Sequence, residues 1–194
     1  MAEKKLKRVW DKQVKIAFAV VIAAVVLAVP VGVTVTMNRM YNQVSAVFQS
    51  GAEGDNLSIQ NDLSARAAAA VNLTAVAKRY LDGDDEAILS VIQAAKALEE
   101  AEGPSAKFAA NEELDEAFTK LYEALEWLAL TEKDSQYREA LQAEMKSRSV
   151  TISNDPYNQC AEEYNQRLDG FPANLLGKAL GLKRAELFVA PANS

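Results

Sequence analysis

Residues 16–38 read IAFAVVIAAVVLAVPVGVTVTMN, and none of these 23 residues carries a charge. At about 1.5 Å of rise per residue, a helix of this length measures about 34 Å, enough to cross a hydrocarbon core of about 30 Å. Pro30 and Gly32 are compatible with such a helix, because membrane helices can satisfy freed backbone groups locally. The stretch therefore predicts one transmembrane helix near the N-terminus.

Two other interpretations of this stretch stay open, a cleaved signal peptide and a buried core helix. A signal peptide has an apolar core of about 7–15 residues followed by a small-x-small cleavage site. Here the apolar run 16–33 is longer, and residues 34–37 (TVTM) offer no such site. A core helix normally shows a polar face, which is missing here. The sequence favours a membrane anchor.

Charges on the two sides of this stretch differ and predict its orientation. Residues 1–15 contain six basic and two acidic residues, whereas Arg39 is the one basic residue close behind the uncharged stretch. The positive-inside rule then places residues 1–15 in the cytoplasm and the remainder outside it, with the reverse topology as the alternative. The basic residues of the first segment are Lys4, Lys5, Lys7, Arg8, Lys12 and Lys15.

Composition excludes several classes of function. From residue 16 onward the chain has 15 basic and 25 acidic residues, which argues against a nucleic-acid partner. The chain has no histidine, so the usual general base, the commonest metal ligand and any Ser-His or Cys-His pair are missing. The single cysteine, Cys160, has helical spacing to Tyr157 and Tyr164 and is expected to be a small core residue. No catalytic residue or cofactor is predicted.

Acidic residues at positions 82–86 (DGDDE) form the best candidate for a metal site. They lack the spacing and the downstream glutamate of a calcium-binding EF-hand loop. A solvated turn followed by a helix cap, at Asp84 or Asp85, explains them better. We therefore expect no metal site, and a hydrolase that uses carboxylates alone is only a remote alternative.

After residue 38 the apolar residues recur at three- and four-residue spacing, and no alternating strand pattern occurs. Gly51, Gly83 and the pair Gly103-Pro104 are predicted to end the first three helices, and a break is expected near Thr131. The fourth helix has a coiled-coil-like seam. The predicted fold is all-α, an N-terminal transmembrane helix followed by an antiparallel bundle of long helices. The apolar positions that carry this prediction are Met37, Met40, Tyr41, Val44, Val47 and Phe48; Leu63, Ala70, Ala77 and Leu81; Ile88, Val91, Ala95 and Leu98; Leu114, Phe118, Leu121, Leu125 and Leu128; and Tyr137, Leu141 and Met145.

The C-terminal part has its own punctuation. Residues 153–156 (SNDP) read as a cap followed by proline at the start of a helix, which is predicted to end at Gly170. Pro172 is predicted to open a short helix that Gly181 closes. The domain boundaries are then a basic tail 1–15, a transmembrane helix 16–38, a bundle 39–190 with a short-helix cap at 171–190, and a tail 191–194.

Motifs in the C-terminal part resemble the end of LemA family proteins. They are Tyr164-Asn165, then FPANLLGKALGL at 171–182, then Phe188. Tyr41-Asn42 behind the anchor and Asn72-Leu73 are similar to the family's first long helices. The family's arginine-rich stretch before Asn-Leu is mostly alanine here, with only Arg66 left. The resemblance covers residues 38–190.

The resemblance implies a bacterial envelope protein with a single-pass anchor, a bundle of long helices, and neither catalytic residues nor a cofactor. It also implies the residues that form the family motif and are candidates for interaction: Tyr164, Asn165, Phe171, Pro172, Asn174, Leu175, Leu176, Gly181, Phe188 and Asn72.

Two functional hypotheses follow from the sequence. The first is a non-enzymatic membrane-anchored scaffold, whose partners are the lipid bilayer and another envelope protein or a second copy of itself. No nucleic acid or small-molecule substrate is expected. The alternative is membrane engagement by the C-terminal Phe-Pro-x-Asn-Leu-Leu segment, where apolar residues alternate with Lys178, Lys183 and Arg184.

Overall fold

The computed structural model describes residues 2–55 and 57–190, with side chains from residue 12 onward. The predicted tail 191–194 and the side chains of the basic segment through residue 11 lie outside this part. The described residues form seven helices and no strand, which confirms the all-α fold. The helices are α1 (Ala2–Ser50), α2 (Ile59–Ala77), α3 (Glu86–Glu100), α4 (Pro104–Glu126), α5 (Glu132–Ser153), α6 (Tyr157–Asp169) and α7 (Ala173–Leu176).

Helix α1 is one continuous helix of 49 residues that contains Pro30. The Thr34 hydroxyl donates a hydrogen bond to the Pro30 carbonyl at 2.9 Å, within the turn that follows the proline. Gly51 ends the helix with a φ of 86°, a conformation that favours glycine. Among the described residues α1 is the one helix long and apolar enough to span a membrane, and its most apolar stretch is fully exposed.

The chain divides into two compact units, and α1 and α6 each contribute residues to both. The first, the bundle unit, contains residues 43–163 and the chain from Ala185 onward. In it α2 runs antiparallel to α5, because Asp62 near the start of α2 binds Arg148 near the end of α5. At the other end of the pair, Arg79 just after α2 binds Asp134 at the start of α5.

The interior of the bundle unit is built from leucine, isoleucine, valine and alanine. In α4 four of the five residues predicted to line one face, Leu114, Phe118, Leu121 and Leu125, are buried, and the coiled-coil-like character of that seam stays a prediction. Leu128 lies beyond the end of the helix and is only half-buried, so it does not belong to the seam. The fully buried large apolar residues of α2 and α3 are Ile59, Leu63, Leu73, Val76, Ile88 and Val91.

Two helix ends differ from the sequence prediction. α2 ends at Ala77, six residues before Gly83, because the backbone tightens into three-residue turns. The amide of Tyr80 donates to the carbonyl of Ala77 at 2.9 Å. α3 ends at Glu100, and Gly103 serves instead as the N-terminal cap of α4, with Pro104 in its first turn.

The breaks on either side of α5 are confirmed. Thr131 caps its start, since its hydroxyl accepts a hydrogen bond from the Asp134 amide at 3.2 Å. At its end, the Asp155 carboxylate accepts a hydrogen bond from the Tyr157 amide at 2.8 Å and opens α6. α3 starts in the same manner at Asp85, one of the two predicted caps.

The second unit, the anchor unit, joins α1 up to Asn42 with residues 164–184. We call residues 164–184 the C-terminal hairpin, because its two ends meet. The Tyr164 hydroxyl donates to the Lys183 carbonyl at 2.7 Å, and Arg184 binds Asp169 at 2.6 Å. The short helix predicted from Pro172 to Gly181 is limited to α7, and turns complete the rest of that stretch.

Candidate functional site

The ten residues predicted from the family motif do not form one site. Eight of them belong to the C-terminal hairpin, whereas Phe188 and Asn72 belong to the bundle unit. Within the hairpin the eight divide into a buried group and a more exposed group, which have different roles. The hairpin residues are Tyr164, Asn165, Phe171, Pro172, Asn174, Leu175, Leu176 and Gly181.

Tyr164 and Asn165 form the buried group. The Tyr164 ring meets the edge of Tyr41 on α1, with ring centroids 5.7 Å apart. Burial raises the pKa of the Tyr164 hydroxyl above its usual value, and the nearby Tyr41 adds to the effect. The neutral hydroxyl is the hydrogen-bond donor to Lys183, so Tyr164 ties the hairpin to itself and to the anchor helix.

The other six motif residues of the hairpin form the more exposed group, which includes two large apolar side chains. Phe171 is 82% exposed and Leu175 is 71% exposed. Asn174 and Gly181 are exposed as well, and Pro172 and Leu176 are half-buried. The Phe-Pro-x-Asn-Leu-Leu motif therefore presents Phe171 and Leu175 outward, while Ala173 between them is buried.

Phe188 lies in an aromatic cluster within the bundle unit and is only 6% exposed. Its ring centroid is 5.2 Å from that of Phe108 and 6.1 Å from that of Phe48. Asn158 holds its backbone on both sides, accepting from the Phe188 amide at 2.8 Å and donating to its carbonyl at 3.2 Å. The Tyr157 hydroxyl donates to the Glu186 carbonyl at 2.6 Å. Phe188 thus packs the segment 186–188 against the bundle interior.

Asn72 lines an open groove of about 600 Å³, which we call the α2–α3 groove. The exposed apolar side chains in it are those of Val71 and Ile92. Ala67 and Ala68 lie on the same side of α2, whereas Ala69 and Ala70 face the core. The remaining lining residues are Gln60, Leu63, Ser64, Ala95, Lys96, Leu98, Glu99 and Lys107.

Lys107 lies at one end of this groove, in the first turns of α4. Its ammonium group donates a hydrogen bond to the Leu98 carbonyl near the end of α3, at 3.1 Å. Burial lowers the pKa of Lys107, and the neighbouring Glu99 carboxylate opposes that change. The groove therefore combines an apolar floor with a partly buried cation, a combination suited to binding an apolar segment with a polar or acidic end.

A buried arginine is a feature of the bundle that the sequence did not predict. The Arg66 side chain is 1% exposed and links α2 to α4 and α5. It donates to the Asn111 side chain at 2.8 Å, to the Met145 carbonyl at 2.8 Å and to Asp115 at 2.6 Å, and it also binds the Ser149 hydroxyl.

A signal for this arginine does exist in the sequence. Arg66 follows the buried Leu63 by three residues and precedes the buried Ala70 by four. A charged residue at a core position of a helix needs partners in the interior, because an unpaired buried charge is costly.

A second polar cluster joins the end of α2 to the start of α5. The hydroxyl of Tyr80 donates to the Asp134 carboxylate at 2.6 Å and accepts a hydrogen bond from the Thr131 amide at 3.0 Å. Arg79 also binds Asp134. The Tyr80 hydrogen bond, helped by Thr131 and Arg79, holds the pKa of the Asp134 carboxyl below its usual value. This cluster fixes the point where α2 ends.

The chemistry available to these side chains is limited. Cys160 is half-buried, and burial raises the pKa of its thiol, with added contributions from Glu163 and Asp155. A raised pKa leaves less thiolate at neutral pH, so the thiol is not activated as a nucleophile. Across the described side chains, no group of three acidic or cysteine residues is placed to hold a metal ion.

Comparison with known proteins places these features in a family. The model of the LemA family matches residues 56–194, more than two thirds of the chain. The match begins just before α2 and includes the α2–α3 groove, the buried Arg66 and the C-terminal hairpin. A search of curated proteins finds no match to this chain. By the extent of the match to the family model, the chain belongs to the LemA family.

Proposed function

We propose that this protein is a non-enzymatic, single-pass membrane-anchored scaffold of the bacterial envelope, which binds a protein partner on its helical bundle. The observation that carries the proposal is α1. One helix exposes most of its apolar side chains from residue 16 to residue 35 and buries Val44 and Phe48 further along. An exposed apolar helix of this length requires lipid around it, whereas its second part has the burial expected of a bundle helix.

The anchor proposal is tested by the mass and location of the protein. An uncleaved anchor keeps the full mass of 21.1 kDa and stays in the membrane pellet at alkaline pH. A cleaved signal peptide would instead leave a shorter, soluble protein whose N-terminus lies within or after residues 34–38. Mass spectrometry of the membrane-extracted chain distinguishes the two outcomes.

The proposed topology has residues 1–15 in the cytoplasm and the bundle outside it, supported by the basic residues ahead of the anchor. Glu53 is exposed in the loop after α1 and is a suitable reporter position. In a Cys160→Ser background, Glu53→Cys should react with a membrane-impermeant maleimide in intact cells. A Lys4→Cys reporter should react only after permeabilisation. The opposite pattern would establish the reverse topology.

The α2–α3 groove supports the binding part of the proposal. An apolar groove between two helices is the type of surface that receives an amphipathic helix of a partner. Val71 and Ile92 would contact the partner's apolar face, and Lys96 and Lys107 at the rim would favour acidic residues beside it. A partner helix from another envelope protein or from a second copy meets this description.

Photo-crosslinking tests the groove directly. A photoreactive amino acid at Val71, which is 45% exposed, should give one discrete adduct in native membranes. The matched control is the same amino acid at Glu139, an exposed position on α5 outside the groove. An adduct of twice the mass identifies a second copy, and another mass identifies a different protein. Equal, diffuse patterns at both positions would refute the groove as a binding site.

A further inference from the structure

The C-terminal hairpin has an apolar surface that its own fold leaves uncovered. Phe171 and Leu175 are four residues apart and are both mostly exposed, while Ala173 between them is buried. Two large apolar side chains on one short turn form a local patch, unlike single exposed residues, which are common on protein surfaces. The patch is small, so binding through these two side chains alone would be weak. Other interactions have to contribute to any contact made there.

Charge in the hairpin has the opposite sign to charge in the bundle. Residues 164–184 contain four basic residues and one acidic residue, which gives a net charge of +3. Residues 43–163 contain 10 basic and 23 acidic residues, which gives a net charge of −13. Asp169 is the single acid of the hairpin and is paired with Arg184, so Lys178 and Lys183 keep their charge available. Positive charge and exposed apolar surface thus occur together in this one segment.

The hairpin also lies beside the end of the uncharged run of α1. It forms one compact unit with α1 up to Asn42, and Tyr164 contacts Tyr41. Tyr41 is three residues past Asn38, which is about 4.5 Å along a helix axis. The polar interface on each side of a bilayer is about 5–7 Å thick. The two tyrosines therefore fall at the headgroup level, where tyrosine is enriched in membrane proteins.

Burial along α1 extends from Tyr41 further toward the N-terminus. On the face that carries Tyr41, Met37 is 4% exposed, and Pro30, Val33 and Thr34 are half-buried. Residues 12–29 are exposed on every face. The three- and four-residue spacing of the covered positions makes one stripe on the helix, and that stripe enters the outer end of the uncharged run. Protein packing on α1 thus reaches into the depth predicted for lipid.

We propose that the C-terminal hairpin is a second membrane contact of this protein. Phe171 and Leu175 enter the leaflet from which α1 emerges, and Lys178 and Lys183 bind the phosphate groups of anionic lipids. A segment that pairs apolar side chains with lysines at the interface is the arrangement used by surface-bound membrane segments. The inference rests on the proposed membrane anchor, because the hairpin is placed at the bilayer by α1.

Tryptophan fluorescence of the full chain in vesicles tests this contact. The chain has two tryptophans, so Phe171→Trp is made with Trp10→Phe and Trp127→Phe. The vesicles are phosphatidylcholine with phosphatidylglycerol, containing lipids brominated near the headgroup end of the acyl chain. Trp at position 171 should show blue-shifted emission and lose most of its intensity to the brominated lipid, as expected for insertion by about 5–10 Å. Leu175→Trp in the same background should behave alike.

Trp127 provides the matched control, since it is 87% exposed and belongs to the bundle unit. With Trp10→Phe alone, its emission should stay unshifted and should be quenched by aqueous iodide rather than by brominated lipid. The proposal is overturned if position 171 is quenched by iodide as strongly as Trp127 and is unaffected by brominated lipid. That result would indicate a protein partner for the patch instead.

Two further measurements keep the outcomes separate. Flotation of the same vesicles at alkaline pH reports the anchor: a chain that fails to float contradicts the anchor, whereas one that floats without quenching at 171 contradicts only the hairpin contact. Adding phosphatidylglycerol to pure phosphatidylcholine should increase the quenching of Trp at position 171 by brominated lipid. The double variant Lys178→Gln with Lys183→Gln should show a smaller increase. Equal gain with and without the two lysines would overturn their assignment to anionic lipid.

Discussion

The bundle unit and the anchor unit use apolar side chains in opposite ways. In the bundle unit Leu73, Leu114 and Leu121 are fully buried, and the surface is strongly acidic. In the anchor unit most apolar residues of α1 up to Val35, and Phe171 and Leu175 of the hairpin, face outward, next to basic residues. Hydrophobic content alone therefore does not determine what a segment packs against. The neighbouring charges and the surrounding environment decide it.

Two phenylalanines of the same C-terminal motif show this contrast most sharply. Phe171 and Phe188 are separated by 17 positions, and both belong to the residues that resemble the family. Phe188 is buried against Phe48 and Phe108, whereas Phe171 is exposed. One contributes to folding and the other is available for an external contact.

The largest effect is expected from Phe188→Ala. Removing this ring leaves a cavity in the aromatic cluster, and truncating a buried phenylalanine costs about 3–5 kcal/mol of the free energy of unfolding. Urea unfolding of the full chain in a mild detergent, followed by far-ultraviolet circular dichroism, measures the loss. The matched control, Phe171→Ala, should change the same free energy by less than about 0.5 kcal/mol. Equal losses for the two variants would remove the distinction between the units.

The next effect concerns the polar interior of the bundle. Arg66→Ala removes the donor to the buried side chain of Asn111 and one of the donors to the Met145 carbonyl, which should cost about 2–3 kcal/mol. Asp115→Asn removes the charge of the half-exposed partner but keeps a side-chain oxygen as acceptor for Arg66, so it should cost less, about 1 kcal/mol. The same urea titrations measure both variants. If Asp115→Asn costs as much as Arg66→Ala, the ion pair rather than the buried hydrogen bonds stabilises this junction.

Arg66→Lys sharpens the same test. Lysine keeps the charge but cannot direct several donors in a fixed plane, so it should recover only part of the lost stability. Full recovery would show that charge alone is needed at this position.

The local features of this fold were predictable from the sequence, because they depend on neighbouring residues. The uncharged run predicted the long, exposed apolar part of α1, and the spacing of Leu114, Leu121 and Leu125 predicted the buried face of α4. Gly51 and Asp85 were recognised as ends of helices from the chemistry of single residues. In each case the signal lies within one or two helical turns.

Features that depend on distant partners were not predictable in this way. α2 ends early because Tyr80 binds Asp134, which is 54 residues further along the chain. Arg66 is buried because its acceptors come from α4 and α5. The periodicity of a helix says which face is apolar, but it cannot say whether protein or lipid covers that face. Phe171 and Phe188 therefore looked alike in the sequence.

Acid should weaken the cluster around Asp134, with a smaller effect than the loss of Arg66. Its pKa is lowered in the folded chain, so it stabilises the fold above the unfolded value of about 3.9. That stability is lost as the pH falls through the lowered folded value. The unfolding temperature of Asp134→Asn should therefore lie below that of the unmodified chain at pH 6, and the gap should close below about pH 4. Tyr80→Phe removes the main cause of the lowered Asp134 pKa. In a Tyr80→Phe background, the chains with and without Asp134→Asn should therefore differ less in unfolding temperature at pH 6.

The smallest effect tests the charge difference between the two units with two thiols. Burial and the carboxylates of Glu163 and Asp155 raise the pKa of Cys160 above its ordinary value, so its alkylation rate should rise only above about pH 8.5. Glu163→Gln should shift that rise to lower pH.

In the hairpin, Ala179→Cys with Cys160→Ser places an exposed thiol beside Lys178, and a nearby cation lowers the pKa of a thiol. Its alkylation should therefore rise at lower pH than that of Cys160. The order of the two thiols decides the point, because burial and negative charge act together at Cys160, whereas exposure and positive charge act together at position 179. The same pH midpoint for both would mean that neither unit imposes its charge on a reacting side chain.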